Sequence, residues 1–191
     1  MKKVLILGGL RRPDRTSTWV CRDVFGPSTT EKIQYTLVGF QARDLRVDIR
    51  LPNWTATLEP ESYDMVIHEH AMGMGEDSTL HANVLRGAHR LLKPETGLFV
   101  FLGWGLFTYG TLFDSSKKST VFFTKIEEKD MFIEDDDWTA RRLRLVSRER
   151  GVAIVKEFFG RYGFRFSRTR STISEDSRQA WHEKYHVFRK V

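Results

Sequence analysis

His68, Glu69 and His70 are consecutive residues able to move protons or hold ligands, and they follow directly on the apolar run Tyr63, Met65, Val66 and Ile67. Imidazole changes charge near neutral pH and is also the commonest metal ligand. Two histidines at i and i+2 on a strand share a face. A zincin helix, however, places its histidines one turn apart, and the sequence offers no evident third ligand, so no metal site is expected. A second candidate is Gly8-Gly9, where missing Cβ atoms let backbone amides approach a ligand closely. A third is Gly103 to Gly110, with Trp104 and Tyr109, which is too glycine-rich for a strand interior and too apolar for an ordinary loop.

The elements around these residues set where they stand. Lys3 to Leu7 reads as a buried strand ending at Gly8-Gly9, and Thr16 to Phe25 as a short helix capped by Thr16 or Ser17 and stopped by Gly26-Pro27. Ile33 to Phe40 and Leu45 to Ile49 have strand composition. Leu80, Val84, Ala88 and Leu91 recur at helical spacing up to Lys93-Pro94-Glu95-Thr96-Gly97, and Leu98 to Leu102 is a further buried strand. Gly151 to Gly160 repeats the helical pattern, Phe164 to Arg168 alternates, and Lys184 to Arg189 is the last strand. Strands alternating with helices predict an α/β fold with a doubly wound, mostly parallel sheet and helices on both faces. Ligands of such a sheet lie outside the carboxyl ends of its strands, where the strand order reverses.

With 191 residues, 40% hydrophobic, 14 Phe and 5 Trp, the chain suits one domain over residues 1–191. An insertion is expected around residues 105–148. Cys21 is the only cysteine, which excludes an internal disulfide and a thiolate metal cluster. No apolar run approaches the roughly 20 residues of a membrane span, so a soluble, cytoplasmic protein without a membrane partner is expected. The net charge of +6 is uneven. Acidic residues from Glu127 to Asp137 precede Arg141, Arg142, Arg144, Arg148 and Arg150, as in an exposed insertion whose acidic half meets a basic helix, or in a basic surface for phosphate-bearing partners.

The run Tyr63-Asp64-Met65-Val66-Ile67-His68-Glu69-His70, followed by His89-Arg90-Leu91-Leu92-Lys93-Pro94, resembles the second half of a class I S-adenosylmethionine-dependent methyltransferase. Phe159-Gly160-Arg161-Tyr162-Gly163-Phe164 is similar to a later motif of the same family. The resemblance implies a Rossmann-like methyltransferase fold, with the last strand inserted antiparallel. It implies S-adenosylmethionine as cofactor, with Gly8 and Gly9 at its methionine part, Asp48 at the adenine amino group, and His68 and Glu69 bordering it. It makes His70 the catalytic candidate, orienting a nucleophile or taking its proton, and Trp104 and Tyr109 the substrate-binding candidates. The family's ribose-binding carboxylate aligns with Gly39, and Asp44 is the nearby acid that a folded-back loop would offer instead.

Methyl transfer requires an in-line nucleophile at contact distance with water excluded, which sequence constrains less on the acceptor side than on the cofactor side. The resemblance implies transfer to a small-molecule or sugar-type acceptor. One alternative is a non-catalytic binding or partner subunit of the same fold. The other is a nucleic-acid-binding protein, since residues 138–191 hold 14 Lys and Arg against 5 Asp and Glu.

Overall fold

The computed structural model describes residues 1–8, 12–13, 15–27, 32–68, 79–80, 82–102, 110–114, 119–126, 129–135, 143–146, 153, 156–157, 159–171 and 184–191. Strands β1 (Lys2–Leu7), β2 (Ile33–Gly39), β3 (Leu45–Arg46) and β4 (Met65–His68) are followed by the short β5 (Thr79–Leu80). Next come β6 (Leu98–Leu102), β7 (Gly110–Asp114), β8 (Ser119–Ile126), β9 (Lys129–Asp135), β10 (Leu143–Val146), β11 (Phe164–Ser171) and β12 (Lys184–Lys190). Helix α1 (Arg15–Phe25) connects β1 to β2, and α2 (Ala82–Leu91) precedes β6.

Seven strands form one sheet in the order β11-β12-β6-β4-β1-β2-β3. β1 is parallel to β2 and β4, β4 to β6, and β2 to β3, while β12 is antiparallel to both β6 and β11. The chain therefore moves from β1 outward through β2 and β3, then crosses to the other side of β1 for β4. That reversal puts a crevice between the carboxyl ends of β1 and β4.

Two apolar layers cover the sheet, as alternation in a strand buried on both faces requires. On one face Leu5, Leu7, Val38, Val66, Phe99, Phe101 and Phe188 pack with Val84, Leu85, Ala88 and Leu91 of α2. On the other, Val4, Ile6, Leu37, Met65, Ile67, Val100, Tyr185 and Val187 pack with Val20 and Cys21 of α1. Gly26 closes α1 at φ 91°, donating its amide to Arg22 O at 2.9 Å, so the expected stop is observed. The start differs: the helix begins at Arg15, so Thr16 and Ser17 lie within its first turn rather than capping it.

Other boundaries move for identifiable reasons. The strand expected to run from Leu45 to Ile49 pairs only at Leu45 and Arg46, because its partner β2 ends at Gly39. Leu80 belongs to β5, paired with Leu112, and the helix starts at Ala82. Strands β7 to β10 form antiparallel neighbours in a five-stranded sheet completed by β5. Part of the basic segment expected as a helix is therefore a strand, Leu143–Val146, whose Arg144 lies opposite Glu134.

The candidate site at the carboxyl strand ends

Gly8 follows β1 at φ 90°, a conformation that favours glycine, and its amide donates to Val38 O at 2.7 Å. Leu7 lies level with Val38 on one side and His68 on the other. Gly39 sits against this turn: a Cβ built on it would stand 3.3 Å from Gly8 Cα. The carbonyl of Gly39 accepts the amides of Ala42 (3.3 Å) and Val47 (3.2 Å), so the turn after β2 folds tightly. The result is bare backbone at the ends of β1 and β2, with no carboxylate where the family carries its ribose ligand.

Asp44 does not fill that role. Its Oδ2 accepts the Leu37 amide at 2.9 Å, and its two oxygens receive the Arg43 guanidinium at 2.7 and 3.0 Å. The Arg43 guanidinium holds the pKa of the Asp44 carboxyl below its ordinary value despite some opposing burial, and the Leu37 amide adds to the lowering. The carboxylate completes a ladder position that the short β3 does not reach.

Asp48 stands just past β3 and is gripped by Arg50. Its Oδ1 accepts the Arg50 amide and Nε, each at 2.9 Å, while Oδ2 accepts Nη2 at 2.9 Å. The Arg50 guanidinium also lies over the exposed Phe40 ring, 5.5 Å from its centroid. Arg50 O accepts Asn83 Nδ2 at 2.8 Å, and Asn83 O accepts Trp54 Nε1 at 2.9 Å. Trp54 is buried over Gly87 of α2, where a Cβ would come within 2.4 Å of the indole. Arg90 Nη1 adds bonds to Thr55 O and Oγ1 at 2.9 and 2.7 Å. Asp48 is thus tied through Arg50 and Asn83 to the first turn of α2. Sequence reading did not single out Arg50, Asn83 or Trp54, whose contacts span about 30 residues of chain and leave no local pattern.

His68 is the last residue of β4 and is buried, not part of an exposed tip. Its ring lies 5.5 Å from that of Phe101, which lies 6.5 Å from His186 in a stacked arrangement. Register places the three at one level across β4, β6 and β12. Two imidazoles thus flank a phenyl ring on the α2 face of the sheet, His68 at the end of β4 beside the crevice and His186 two strands away, which sequence reading did not single out. Glu69, His70, Gly9, Trp104 and Tyr109 lie outside the described residues. Among the described residues no cluster of His, Cys, Asp or Glu is placed to hold a metal ion, and no helix is long and apolar enough to cross a membrane.

The strand order, with its reversal beside β1 and a single antiparallel strand between two parallel to each other, matches the expected architecture. The chain has the Rossmann-like methyltransferase fold. No protein-family model matches the sequence, and no match was found among curated proteins. Among solved structures the chain is similar to the 1,6-didemethyltoxoflavin-N1-methyltransferase of Burkholderia thailandensis with bound 1,6-didemethyltoxoflavin and S-adenosylhomocysteine, at 12% identity and TM-score 0.47 over 99% of this chain and 71% of that one. It is also similar to the 16S rRNA (adenine(1408)-N(1))-methyltransferase from Catenulisporales acidiphilia, at 12% identity and TM-score 0.48 over 100% and 85%. A third is the CcbJ methyltransferase from Streptomyces caelestis, at 14% identity and TM-score 0.43 over 100% and 84%. At these identities the similarity concerns the fold alone.

Proposed function

We propose that the chain is an S-adenosylmethionine-dependent methyltransferase. The observation that carries this reading is the crevice at the strand-order reversal, where Gly8 at φ 90° presents bare backbone beside the buried His68. Gly8, with Gly9, would hold the methionine part of the cofactor, His68 and Glu69 would border it, and Asp48 would meet the adenine amino group. When bound, the cofactor supplies a sulfonium methyl group. The protein's own part is to bind, orient and exclude water, with His70 taking the proton of the acceptor. The fit is incomplete at the ribose, because Gly39 has no carboxylate and Asp44 is engaged at Leu37.

Trp104 and Tyr109 would line the acceptor pocket for a small-molecule or sugar-type acceptor, and residues 105–148 would be an insertion beside it. Calorimetric titration with S-adenosylmethionine tests the assignment. Binding with His70→Ala impairing turnover more than affinity supports it; equal loss of both would make His70 structural. A second reading, a non-catalytic binding or partner subunit, is favoured by Gly39 and by the pairing of Asp48 with Arg50. It stands if millimolar S-adenosylmethionine gives neither heat nor a melting shift.

A further inference from the structure

We infer that Arg50 is an internal competitor for the nucleobase position of the crevice, a proposal that rests on the methyltransferase reading for the placement of adenine at Asp48. A carboxylate offers about four acceptor sites. Among the described residues Asp48 accepts four hydrogen bonds from Arg50 alone: the amide and Nε reach Oδ1, each at 2.9 Å, and Nε and Nη2 reach Oδ2 at 3.2 and 2.9 Å. An adenine amino group thus meets an occupied carboxylate. The same guanidinium lies over Phe40, 5.5 Å from the ring centroid. Phe40 directly follows β2 and is 54% exposed, an aromatic face at a carboxyl strand end on which a planar base can stack. A guanidinium shares with adenine the features used here, being planar, stacking on aromatic faces and pointing N–H donors at a carboxylate. Arg50 therefore makes, within the chain, both contacts that the base would make.

The contact can open without disturbing the loop. The backbone of Arg50 is held on both sides, its amide by Asp48 Oδ1 and its carbonyl by Asn83 Nδ2 at 2.8 Å, so only the side chain has to turn. When the guanidinium leaves, Asp48 keeps the bond from the Arg50 amide, and its carboxylate stays oriented with the other three bonds released. The Arg50 and Asp48 side chains are 32% and 19% exposed, so the guanidinium turns out into water, and an ion pair open to solvent is weak enough for a ligand to break. Only molecules with Arg50 turned out can take the base. The contact therefore lowers apparent affinity by the fraction of molecules in that state.

The test is calorimetric titration with S-adenosylmethionine and with adenosine, comparing wild type, Arg50→Met and Arg43→Met. Methionine keeps an unbranched apolar stem without the donors, and Arg43, paired with Asp44, gives the same loss of charge nearby. A melt of each variant confirms folding. Arg50→Met is expected to bind both ligands about five- to tenfold more tightly, and Arg43→Met to stay within about twofold of wild type. A salt series gives a second readout that also decides the matter should Arg50→Met fail to fold. Adenosine is uncharged, so salt acts on the Asp48–Arg50 pair: wild-type affinity should rise about twofold between about 50 and 500 mM salt, while that of Arg50→Met stays level. Binding of S-adenosylmethionine by wild type with equal or weaker binding by Arg50→Met, an equal gain in Arg43→Met, or no rise with salt overturns the competitor and leaves the methyltransferase reading standing. Tighter binding of adenosine by Arg50→Met, with S-adenosylmethionine bound by neither protein, supports the competitor and ends that reading. Silence of both proteins toward both ligands overturns the two together.

Discussion

Gly39 and Gly8 meet backbone to backbone, closely enough that an added side chain would crowd the turn: a Cβ on Gly39 would lie 3.3 Å from Gly8 Cα and 3.5 Å from its nitrogen. From sequence alone, restoring the family's acid at this position should strengthen cofactor binding. The contact reverses that expectation. Gly39→Asp must push the Gly8 turn aside, at a φ of 158° that side chains rarely adopt. The expected outcome is a loss of about 1 kcal/mol, a fall in Tm of about 2–4 °C, and weaker S-adenosylmethionine binding by calorimetry.

Asp48→Ala removes the acceptor that orders Arg50 and with it the link to Asn83. Charge-assisted hydrogen bonds contribute about 1.5–3 kcal/mol, and partial exposure of the pair places the stability loss at the lower end. Cofactor affinity is expected to fall below detection in the same calorimetric titration. Retained affinity would remove Asp48 from the binding site and leave it as a loop anchor.

Gly87→Ala inserts a methyl group into the space held by Trp54. Overpacking of this kind costs about 1–3 kcal/mol, so Tm should drop by several degrees. Combining it with Trp54→Leu should make the added methyl nearly neutral, since the indole is what it meets. Additive losses in that double-mutant cycle would contradict the packing described.

Asp64 stands near the amino ends of the strands, where it accepts the Lys3 amide at 2.9 Å and the ammonium groups of Lys93 and Lys2 at 2.9 and 3.2 Å. Burial alone would raise its pKa, but the Lys3 amide and the two lysines outweigh it and hold the carboxyl below its ordinary value. A depressed folded value stabilises the native state fully above the unfolded pKa of about 3.9 and is lost as pH falls through the folded one. Urea midpoints should therefore be insensitive to this group at neutral pH and decline below about pH 4. Asp64→Asn should be less stable at pH 7 by about 1–2 kcal/mol and show a flatter acid limb.

Much of the sheet was legible in the sequence because its signals are local. Leu98–Leu102 emerged at its predicted bounds, β1 within one residue, and α1 stopped where Gly26 supplies a left-handed turn. The run from Tyr63 to His68 holds the strand β4, and the helical spacing after it marks α2, since apolar periodicity depends on neighbours a few positions apart. The absence of an acid at Gly39 is also a fact of sequence.

Tertiary structure alone decided how the remaining carboxylates are used. Asp44 and Asp48 have the residue type a nucleoside ligand needs; the Asp44 carboxylate goes to the Leu37 amide because the turn after β2 folds back on Gly39, while Asp48 also holds Arg50 and through it Asn83. His68 and His186 share the Phe101 ring only because β12 inserts beside β6, a long-range pairing that no local pattern encodes. Arg168 is the sharpest case. Strict alternation along β11 would put it on the face of Phe164 and Phe166, in the core. One irregular residue at Ser167 turns it to the Arg165 face, since the period of a strand is two and a single slip exchanges its faces.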